Sequence, residues 1–277
     1  MMASVKLRKT ASAVGVRLGM VGILIFVGFP ILWIVLTAFK LPKDVYSASF
    51  FFKPTLQNFA HIFGSQYNFT PYLVNSIIIA LGTVAVAVPL AALAAYAFSR
   101  YDFFGKEAVL ILLIATQFIA PVVIVIPFFN LYRNIGLLDS RLGLIILYLS
   151  FSLPFAVWMI KGFIDALPTE IEEAAVVDGC TPFQVLRYVT FPLIKPGIIT
   201  AAIFAFIGAW NEFLFALVTT TSNKTLTVGM MIFAFQLEGV EWQTMSAIGV
   251  IVMIPVFILS LTIRNHFVEG ITMGAVK

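Results

Sequence analysis

Long apolar segments separated by short polar ones are the main pattern of this chain. Six stretches of about 19 to 26 residues contain one charged side chain in total, that of Glu212. They are Leu18–Phe39, Leu73–Phe98, Ala108–Tyr132, Leu142–Ile160, Gly197–Leu217 and Thr244–Ile263. A helix of about 20 residues, rising about 1.5 Å per residue, crosses the ~30 Å hydrocarbon layer of a bilayer. A membrane β-barrel would instead show short alternating segments. The pattern predicts an all-α polytopic membrane protein with six transmembrane helices.

Composition supports a membrane protein. Of the 277 residues, 61% are hydrophobic and 11% are charged, whereas a soluble domain has about 25% charged residues. The first apolar stretch follows Lys6, Arg8, Lys9 and Arg17, as a signal peptide would. It is longer than the usual core of about 7–15 residues, and no convincing small-residue cleavage site follows it. We interpret it as a transmembrane helix.

The distribution of basic residues predicts the orientation in the membrane. With the N-terminus in the cytoplasm, eleven Lys and Arg residues fall in inner segments and six in outer loops. Inner loops normally carry the excess of basic residues, so we predict that both termini are cytoplasmic. The net charge of +4 then reflects this orientation. The basic residues are scattered along the chain, and we expect no nucleic-acid partner.

One polar stretch, "PTEIEEAAVVDGCTPFQVLRYVTFPLIKPG", lies between the fourth and fifth apolar segments. Thr169 with Glu172 predicts a capping box at the start of a first helix. Gly179 fits the left-handed position after that helix. Thr181 with Gln184 predicts a second capping box and a second helix. The stretch therefore predicts two short helices joined by a tight turn at the membrane surface.

The first of these helices has a face suited to docking. Ile171, Ala174, Ala175 and Asp178 are three or four residues apart and share one side. Two alanines allow another surface to approach the backbone closely, and the nearby acidic side chains favour a basic partner. A simple surface connection is the alternative, but a connection needs only a few residues.

The sequence around these residues resembles a known motif. "EEAAVVDG", followed by "FPLIKPG", resembles the EAA loop of ABC importer permeases. Four further segments resemble the carbohydrate-uptake, maltose-permease-like branch of that family: "NSIIIALGTVAVAVPLAALAAYAFSR", "IPFFNLYRNIGLLDSRLGLIILYLSFSLPF", "AWNEFLFAL" and "GITMGAVK". The resemblance covers nearly the whole chain in order. Cys180 departs from it, since the family more often has a small residue such as alanine there.

The resemblance implies a type I ABC importer permease fold, with one transmembrane domain over residues 1–277 and a cytoplasmic coupling loop at about 165–196. In such permeases this loop fits into a groove of a separate ATPase. The residues implied in coupling are Glu172, Glu173, Ala174, Ala175, Asp178 and Gly179. The implied partners are a second homologous permease, two ATPase subunits and an extracytoplasmic solute-binding protein. The implied cargo is a sugar, oligosaccharide or related polyol, and the implied location is the cytoplasmic membrane of a bacterium or archaeon.

The chain lacks the residues needed for chemistry of its own. It has no G-x-x-x-x-G-K-[ST] phosphate loop, so ATP and Mg²⁺ are expected on a partner ATPase. His61 and His266 stand alone, and the single cysteine has no partner for a disulfide or a metal site. No nucleophile-and-base pair is visible. We therefore expect a transport subunit without a cofactor, not an enzyme.

Candidate pathway residues lie in or near the apolar segments. Glu212 is the only acid inside a predicted span, and it follows Trp210 and Asn211. An aromatic ring beside hydrogen-bonding groups suits a sugar, but an interfacial anchor explains the same pattern, and both interpretations stay open. Asn75 and Gln117 are further candidates, although bonds between helices explain them as well. A second permease chain could also hold most of the sugar site.

Three other functions compete with a sugar importer. An ion-coupled carrier should have more intramembrane acids or broken helices. A scaffold or receptor leaves the EAA-like loop unexplained. An ABC importer for peptides shares that loop, and only the flanking resemblance argues against it.

Overall fold

The computed structural model describes residues 2–64, 68–236 and 241–274, with side chains described for 15–64, 68–234 and 241–261. Helices account for most of these residues, and no strand occurs among them. The α-helices are α1 (Met2–Ala38), α2 (Gln57–Phe63), α3 (Thr70–Arg100), α4 (Lys106–Ala115), α5 (Pro121–Asn134), α6 (Arg141–Asp165), α7 (Thr169–Val177), α8 (Pro182–Val185), α9 (Phe191–Leu193), α10 (Lys195–Asn211), α11 (Leu214–Thr219), α12 (Leu226–Gln236) and α13 (Trp242–Gly274). Two 3₁₀ turns, Pro42–Asp44 and Thr116–Phe118, and a π-helical turn, Leu186–Thr190, complete the helical structure.

Four helical segments of the described chain are long and apolar enough to cross a membrane. They are Gly15–Ala38, Thr70–Arg100, Arg141–Asp165 and Trp242–Leu261. These segments agree with the first, second, fourth and sixth predicted spans. Two bent helix pairs bring the number of possible crossings to as many as six.

The predicted third span, Ala108–Tyr132, is broken in the structure. Lys106–Phe118 and Pro121–Asn134 meet at an angle of 100°. Ala120 has an extended backbone, with φ −64° and ψ 126°. A residue before proline avoids the helical region, and the proline itself has no N–H to donate. The predicted span is therefore present as two helices with a break between them, and not as one continuous helix.

The predicted fifth span, Gly197–Leu217, also differs from the structure. Its helix, α10, ends at Asn211, and Glu212 has an extended backbone with φ −66° and ψ 133°. The short helix α11 follows. The carboxylate of Glu212 therefore lies at a break between two helices, and not in the interior of one as predicted.

The chain forms two compact units. One comprises Met1–Asn68 with Phe233–Met253. In it, Lys40 is fully buried, with its ammonium group 4.5 Å from the centre of the Trp33 ring and 3.1 Å from the carbonyl of Ser47. The ring and the carbonyl together stabilise the buried charge.

The other unit comprises Phe69–Ile232 with Ile254–Lys277. Its core lies where α3, α6 and α10 pack together. Five of the ten buried residues in this core are alanines: Ala91, Ala92 and Ala95 of α3, Ala156 of α6 and Ala201 of α10. Such residues let helix backbones approach closely in membranes. Gly197 shows how close the approach is, because an added Cβ atom would collide with the ring of Phe163 on α6.

Candidate functional site

The first predicted helix of the polar stretch is α7, but its start is not the predicted capping box. Pro168 occupies the cap position and no side chain caps the helix. Thr169 is already helical, and the carboxylate of Glu172 turns inward. It bonds to the guanidinium of Arg100 and to the hydroxyl of Thr190. In a capping box, this carboxylate would instead accept from a backbone N–H at the start of its own helix. The bonds to Arg100 and Thr190 replace that bond, because a charge-assisted hydrogen bond is stronger than one to a neutral N–H.

The turn after α7 agrees with the prediction. Gly179 has φ +89°, the left-handed conformation that glycine adopts without strain. The N–H of Cys180 donates to the carbonyl of Ala175, and the N–H of Gly179 donates to that of Val176, both at 3.0 Å. These two bonds form a Schellman motif, which closes the helix and reverses the chain.

The second predicted capping box is confirmed. The N–H of Thr181 donates to the Gln184 side chain at 2.7 Å, and the N–H of Gln184 donates to the Thr181 hydroxyl at 3.4 Å. The chain then continues through α8 and the π-helical turn to α9. It bends by 77° into α10. We call residues 165–196 the coupling segment.

The coupling segment presents an apolar surface with acidic neighbours. Val177, Phe183 and Tyr188 are 87%, 64% and 65% exposed. Of the six residues predicted to couple to an ATPase, Glu173, Ala174, Asp178 and Gly179 are exposed, Ala175 is half-buried and Glu172 is buried. Exposed apolar groups rimmed by polar ones are typical of protein interaction sites.

Arg100 ties the coupling segment to the helix bundle. Its Nε atom donates to Glu172 Oε2 at 2.6 Å, and its Nη2 atom donates to the carbonyls of Ile164 and Leu167 at 3.0 and 3.2 Å. The other oxygen of Glu172 accepts from Thr190 Oγ1 at 2.6 Å. We call these contacts the Arg100 bridge. Sequence reasoning missed both Arg100 and Thr190, because no local spacing links them to Glu172.

A cavity of about 270 Å³ lies beside the break between α4 and α5. We call it the aromatic cavity, because five rings line it: Tyr148, Phe151, Phe155, Phe204 and Phe215. Its polar lining includes Gln117, Ser152 and Glu212. Gln117 and Glu212 were predicted separately as pathway residues, and the fold brings them to this one cavity.

The carboxylate of Glu212 is held by three donors. The hydroxyl of Tyr148 donates to Oε2 at 2.6 Å, the N–H of Phe215 donates to Oε1 at 2.8 Å, and the N–H of Ala216 donates to Oε2 at 3.1 Å. In addition, Thr227 donates to the backbone carbonyl of Glu212 at 2.7 Å. Glu212 therefore joins α6, α11 and the start of α12 at the cavity wall.

The other three predicted pathway residues do not line this cavity. Trp210 is buried and Asn211 is exposed. Asn75 is buried and joins separate segments, accepting from Arg141 Nε at 2.8 Å and donating to the carbonyl of Lys224 at 3.0 Å. These bonds account for Asn75 as a link between helices.

A larger cavity, of about 680 Å³, lies between α4, α6 and the coupling segment. Its lining is mostly apolar, apart from the ion pair between Lys161 and Asp165, whose Nζ and Oδ2 atoms are 2.6 Å apart. None of the predicted pathway residues lines it. Across the described ranges, no three His, Cys, Asp or Glu side chains lie together as a metal site would require.

Asp139 joins two loops of the same unit. Its Oδ1 atom accepts from the N–H groups of Thr221, Ser222 and Asn223 at 2.9, 2.8 and 2.8 Å. Its N–H donates to the carbonyl of Thr219 at 2.8 Å. Burial raises the pKa of Asp139, but the backbone donors outweigh burial and hold the pKa below its usual value. No local sequence pattern predicts this contact, which connects residues more than 80 positions apart.

The chain is similar in sequence and in fold to permease subunits of known transporters. Residues 87–273 match the family model described as "Binding-protein-dependent transport system inner membrane component". The chain is 36% identical to the trehalose transport system permease protein SugB of Mycobacterium tuberculosis, over 90% of the chain and 92% of that relative. It is 32% identical to the diacetylchitobiose uptake system permease protein DasC of Streptomyces coelicolor, over 92% of the chain and 94% of that relative. Among solved structures, a chain of a bacterial ABC transporter that imports alginate matches with a TM-score of 0.78 and 23% identity, over 94% of this chain and 97% of that one.

Proposed function

The chain belongs to the binding-protein-dependent transport system inner membrane components, and we propose that it moves a sugar, an oligosaccharide or a related polyol. It is a permease subunit of an ABC importer, with the type I permease fold. The observation that carries the cargo proposal is the similarity to SugB and DasC, which extends over at least nine tenths of the chain. The names of these two relatives give trehalose and diacetylchitobiose as their cargoes, and both are disaccharides.

The aromatic cavity supports a carbohydrate cargo. A sugar ring has apolar C–H faces, which stack on aromatic rings, and hydroxyl edges, which need hydrogen-bonding groups. Phe151 and Phe204 provide rings, and Gln117, Ser152 and Glu212 provide amide, hydroxyl and carboxylate groups. An apolar site with a few placed polar groups is the usual form of a small-molecule site. We therefore place part of the sugar pathway at this cavity.

The coupling segment supports a separate energy source. We propose that its exposed face docks on a cytoplasmic ATPase, which binds ATP and Mg²⁺. The exposed acidic side chains of Glu173 and Asp178 would meet a basic rim of the ATPase groove, and complementary charges fix the register of an interface. The complete importer would contain two ATPase subunits, a second homologous permease and an extracytoplasmic solute-binding protein, with both termini of this chain in the cytoplasm.

The geometry supports a simple transport cycle. ATP binding closes the ATPase pair and displaces the coupling segment. The segment leads through the bend at Ile194 directly into α10, and α10 ends at the cavity wall. Its displacement would open the aromatic cavity to the outer side, where the binding protein delivers the sugar. Hydrolysis would reset the segment and release the sugar inward.

Purification of the importer from detergent-solubilised membranes tests the docking proposal. The ATPase should be recovered with the wild-type chain and lost with the variant carrying both Glu173→Lys and Gly179→Arg. The single variant Glu173→Lys keeps the turn intact and should also recover less ATPase. Glu107→Lys is the matched control, because Glu107 is an exposed acid on α4, outside the coupling segment. Absence of any ATPase from the wild-type preparation would contradict the proposal.

Uptake measurements test the cargo proposal. The importer in proteoliposomes, supplied with its binding protein and ATP, is offered labelled disaccharides, polyols, dipeptides and amino acids. Uptake of a disaccharide or polyol supports the proposal. Uptake confined to dipeptides or amino acids would instead assign the chain to an importer for another solute class.

A further inference from the structure

The Arg100 bridge joins four segments at one point. Arg100 is the last residue of α3, and its guanidinium reaches Glu172 on α7, the carbonyl of Ile164 near the end of α6 and the carbonyl of Leu167 just after that helix. Glu172 in turn reaches Thr190 at the end of the π-helical turn. The carboxylate of Glu172 therefore connects α7 and the π-helical turn to Arg100. Arg100 in turn connects them to the ends of α3 and α6.

Both charged groups of this bridge are hydrogen-bonded and mostly buried. The side chains of Arg100 and Glu172 are only 12% and 11% exposed. Both carboxylate oxygens of Glu172 accept a hydrogen bond, and the guanidinium makes three. A buried ion pair contributes little to stability compared with apolar packing, because both charges lose their water. Its clearer contribution is a fixed geometry, since a carboxylate bonded at one oxygen to Arg100 and at the other to Thr190 tolerates few arrangements.

Adjacent acids of the same helix have opposite surroundings. Glu173 is exposed and belongs to the docking face, whereas Glu172 is buried and bonded inside the chain. The two carboxylates therefore serve two different contacts, one inside the chain and one at the proposed docking face. Glu173 faces the partner, and Glu172 faces the bundle.

We propose that Glu172 is a positioning residue that, through Arg100, transmits movement of the coupling segment to α3 and α6. This inference rests on the proposed docking of the coupling segment on an ATPase. In this arrangement a push on α7 moves the ends of α3 and α6 together. Without the bridge, α7 would remain joined to α6 through the three residues between them, but its displacement would no longer reach the end of α3 through Arg100.

The helices at the bridge lead to the proposed sugar pathway. α6 carries Tyr148 and Phe151 of the aromatic cavity, and its end at Ile164 is bonded to Arg100. α3 packs tightly on α6 through small side chains, so the two helices are expected to shift as one body. The Arg100 bridge and the packed pair of α3 and α6 therefore form a continuous chain of contacts from the coupling segment to the aromatic cavity.

The test uses the whole importer in proteoliposomes with its ATPase and binding protein. Three quantities are measured: ATPase recovered on purification, ATP hydrolysed, and sugar imported per ATP. Glu172→Gln keeps the shape of the side chain and an acceptor for Thr190 but removes the charge. We expect ATPase recovery within twofold of wild type and a fall of about tenfold in sugar imported per ATP, the effect of losing one charge-assisted hydrogen bond.

Two further variants separate transmission from folding. Thr190→Val removes only the hydroxyl bond to Glu172, and it should lower sugar imported per ATP less than Glu172→Gln does. The double variant should fall further than Glu172→Gln alone, because the two changes weaken different bonds of the same carboxylate. Glu107→Gln is the control, as an exposed acid outside the bridge, and should leave the ratio unchanged. If Glu172→Gln does not fold in the membrane, the Thr190→Val ratio decides, and a wild-type ratio in that variant would overturn the proposal.

The outcomes distinguish this proposal from the docking proposal. If the wild-type chain recovers no ATPase, docking itself fails. If Glu172→Gln assembles and imports sugar per ATP as wild type does, the transmission role fails while docking stands. Loss of ATPase recovery in Glu172→Gln, with normal melting of the permease, would make Glu172 a docking residue and would also overturn the proposal.

Discussion

The hydroxyl of Tyr148 donates a 2.6 Å hydrogen bond to the carboxylate of Glu212. This bond connects the middle of α6 to the break between α10 and α11. Both residues line the aromatic cavity, so the bond fixes one wall of the proposed sugar pathway. The position of the carboxylate then depends on a tyrosine 64 residues away in the chain.

Tyr148→Phe removes this bond and keeps the ring. A hydrogen bond to a charged group contributes about 1.5–3 kcal/mol, so the variant is expected to melt at a lower temperature in detergent. Its KM for sugar should rise, because the carboxylate at the cavity wall is no longer fixed. Thermal unfolding and uptake kinetics measure the two effects. Tyr46→Phe, at an exposed tyrosine of the other unit, is the control, and equal behaviour of the two variants would contradict the assignment.

Glu212→Ala should have a larger effect than Tyr148→Phe. It leaves the N–H groups of Phe215 and Ala216 without their acceptor, and an unsatisfied buried donor costs about 1–3 kcal/mol. The start of α11 should therefore loosen and uptake kinetics should change. Hydrogen exchange of these two amides, measured beside uptake, checks both consequences. Unchanged exchange and unchanged kinetics would show that the carboxylate neither holds α11 nor serves the pathway.

The continuous spans could be predicted from the sequence, but the broken ones could not. Length and apolar character are properties of composition, and they identified Thr70–Arg100 and Arg141–Asp165. A proline alone did not locate a break, because Pro89 and Pro154 lie inside those unbroken helices while Pro121 begins a new one. Packing against neighbouring helices decides whether a proline lies inside a continuous helix or begins a new one. That packing cannot be read from the residues around the proline.

The breaks also correct one argument from the sequence. More intramembrane acids or broken helices were expected of an ion-coupled carrier, and Lys106–Phe118 with Pro121–Asn134 is a broken span. Helix breaks therefore do not distinguish the two classes of transporter here. The distinction comes from family membership.

In the coupling segment, too, local structure could be predicted from the sequence and a long-range contact could not. The turn at Gly179 and the capping box at Thr181 depend on residues within four positions of each other, and both were predicted correctly. The capping box at Thr169 was wrong, because Glu172 bonds to Arg100, 72 positions away. Local motifs predict local structure until a distant charged partner competes for the same side chain.

Gly197→Ala should destabilise the packing of α10 on α6. The added Cβ atom would collide with the ring of Phe163, and overpacking of a core costs about 1–3 kcal/mol. The variant should therefore melt at a lower temperature, and Phe163→Leu in the same chain should recover part of the loss. Gly208→Ala is the matched control for melting, because its Cβ atom would meet no atom within 4 Å. Equal melting temperatures for the two glycine variants would contradict the close approach.

Asp139→Asn should weaken the contact between two loops in a pH-dependent way. Folding holds the pKa of Asp139 below its usual value through the N–H donors of residues 221–223, against the opposing effect of burial. The stabilisation is therefore fully present above the pKa of the unfolded chain, about 3.9. It is lost as the pH falls through the lower pKa of the folded state.

At neutral pH, Asp139→Asn should therefore lower the free energy of unfolding by about 1 kcal/mol, a modest value because the site is partly open to solvent. The difference from wild type should shrink as the pH falls below about 4, because the carboxylate becomes neutral first in the unfolded chain and, at lower pH, in the folded one. Melting curves from pH 7 to pH 3 measure this convergence. Asp102→Asn is the control, because the carboxylate of Asp102 is fully exposed and pairs only with Lys106 at 3.0 Å. A difference between Asp139→Asn and wild type that stayed constant down to pH 3 would mean that the loops are held by shape and not by the charge of Asp139.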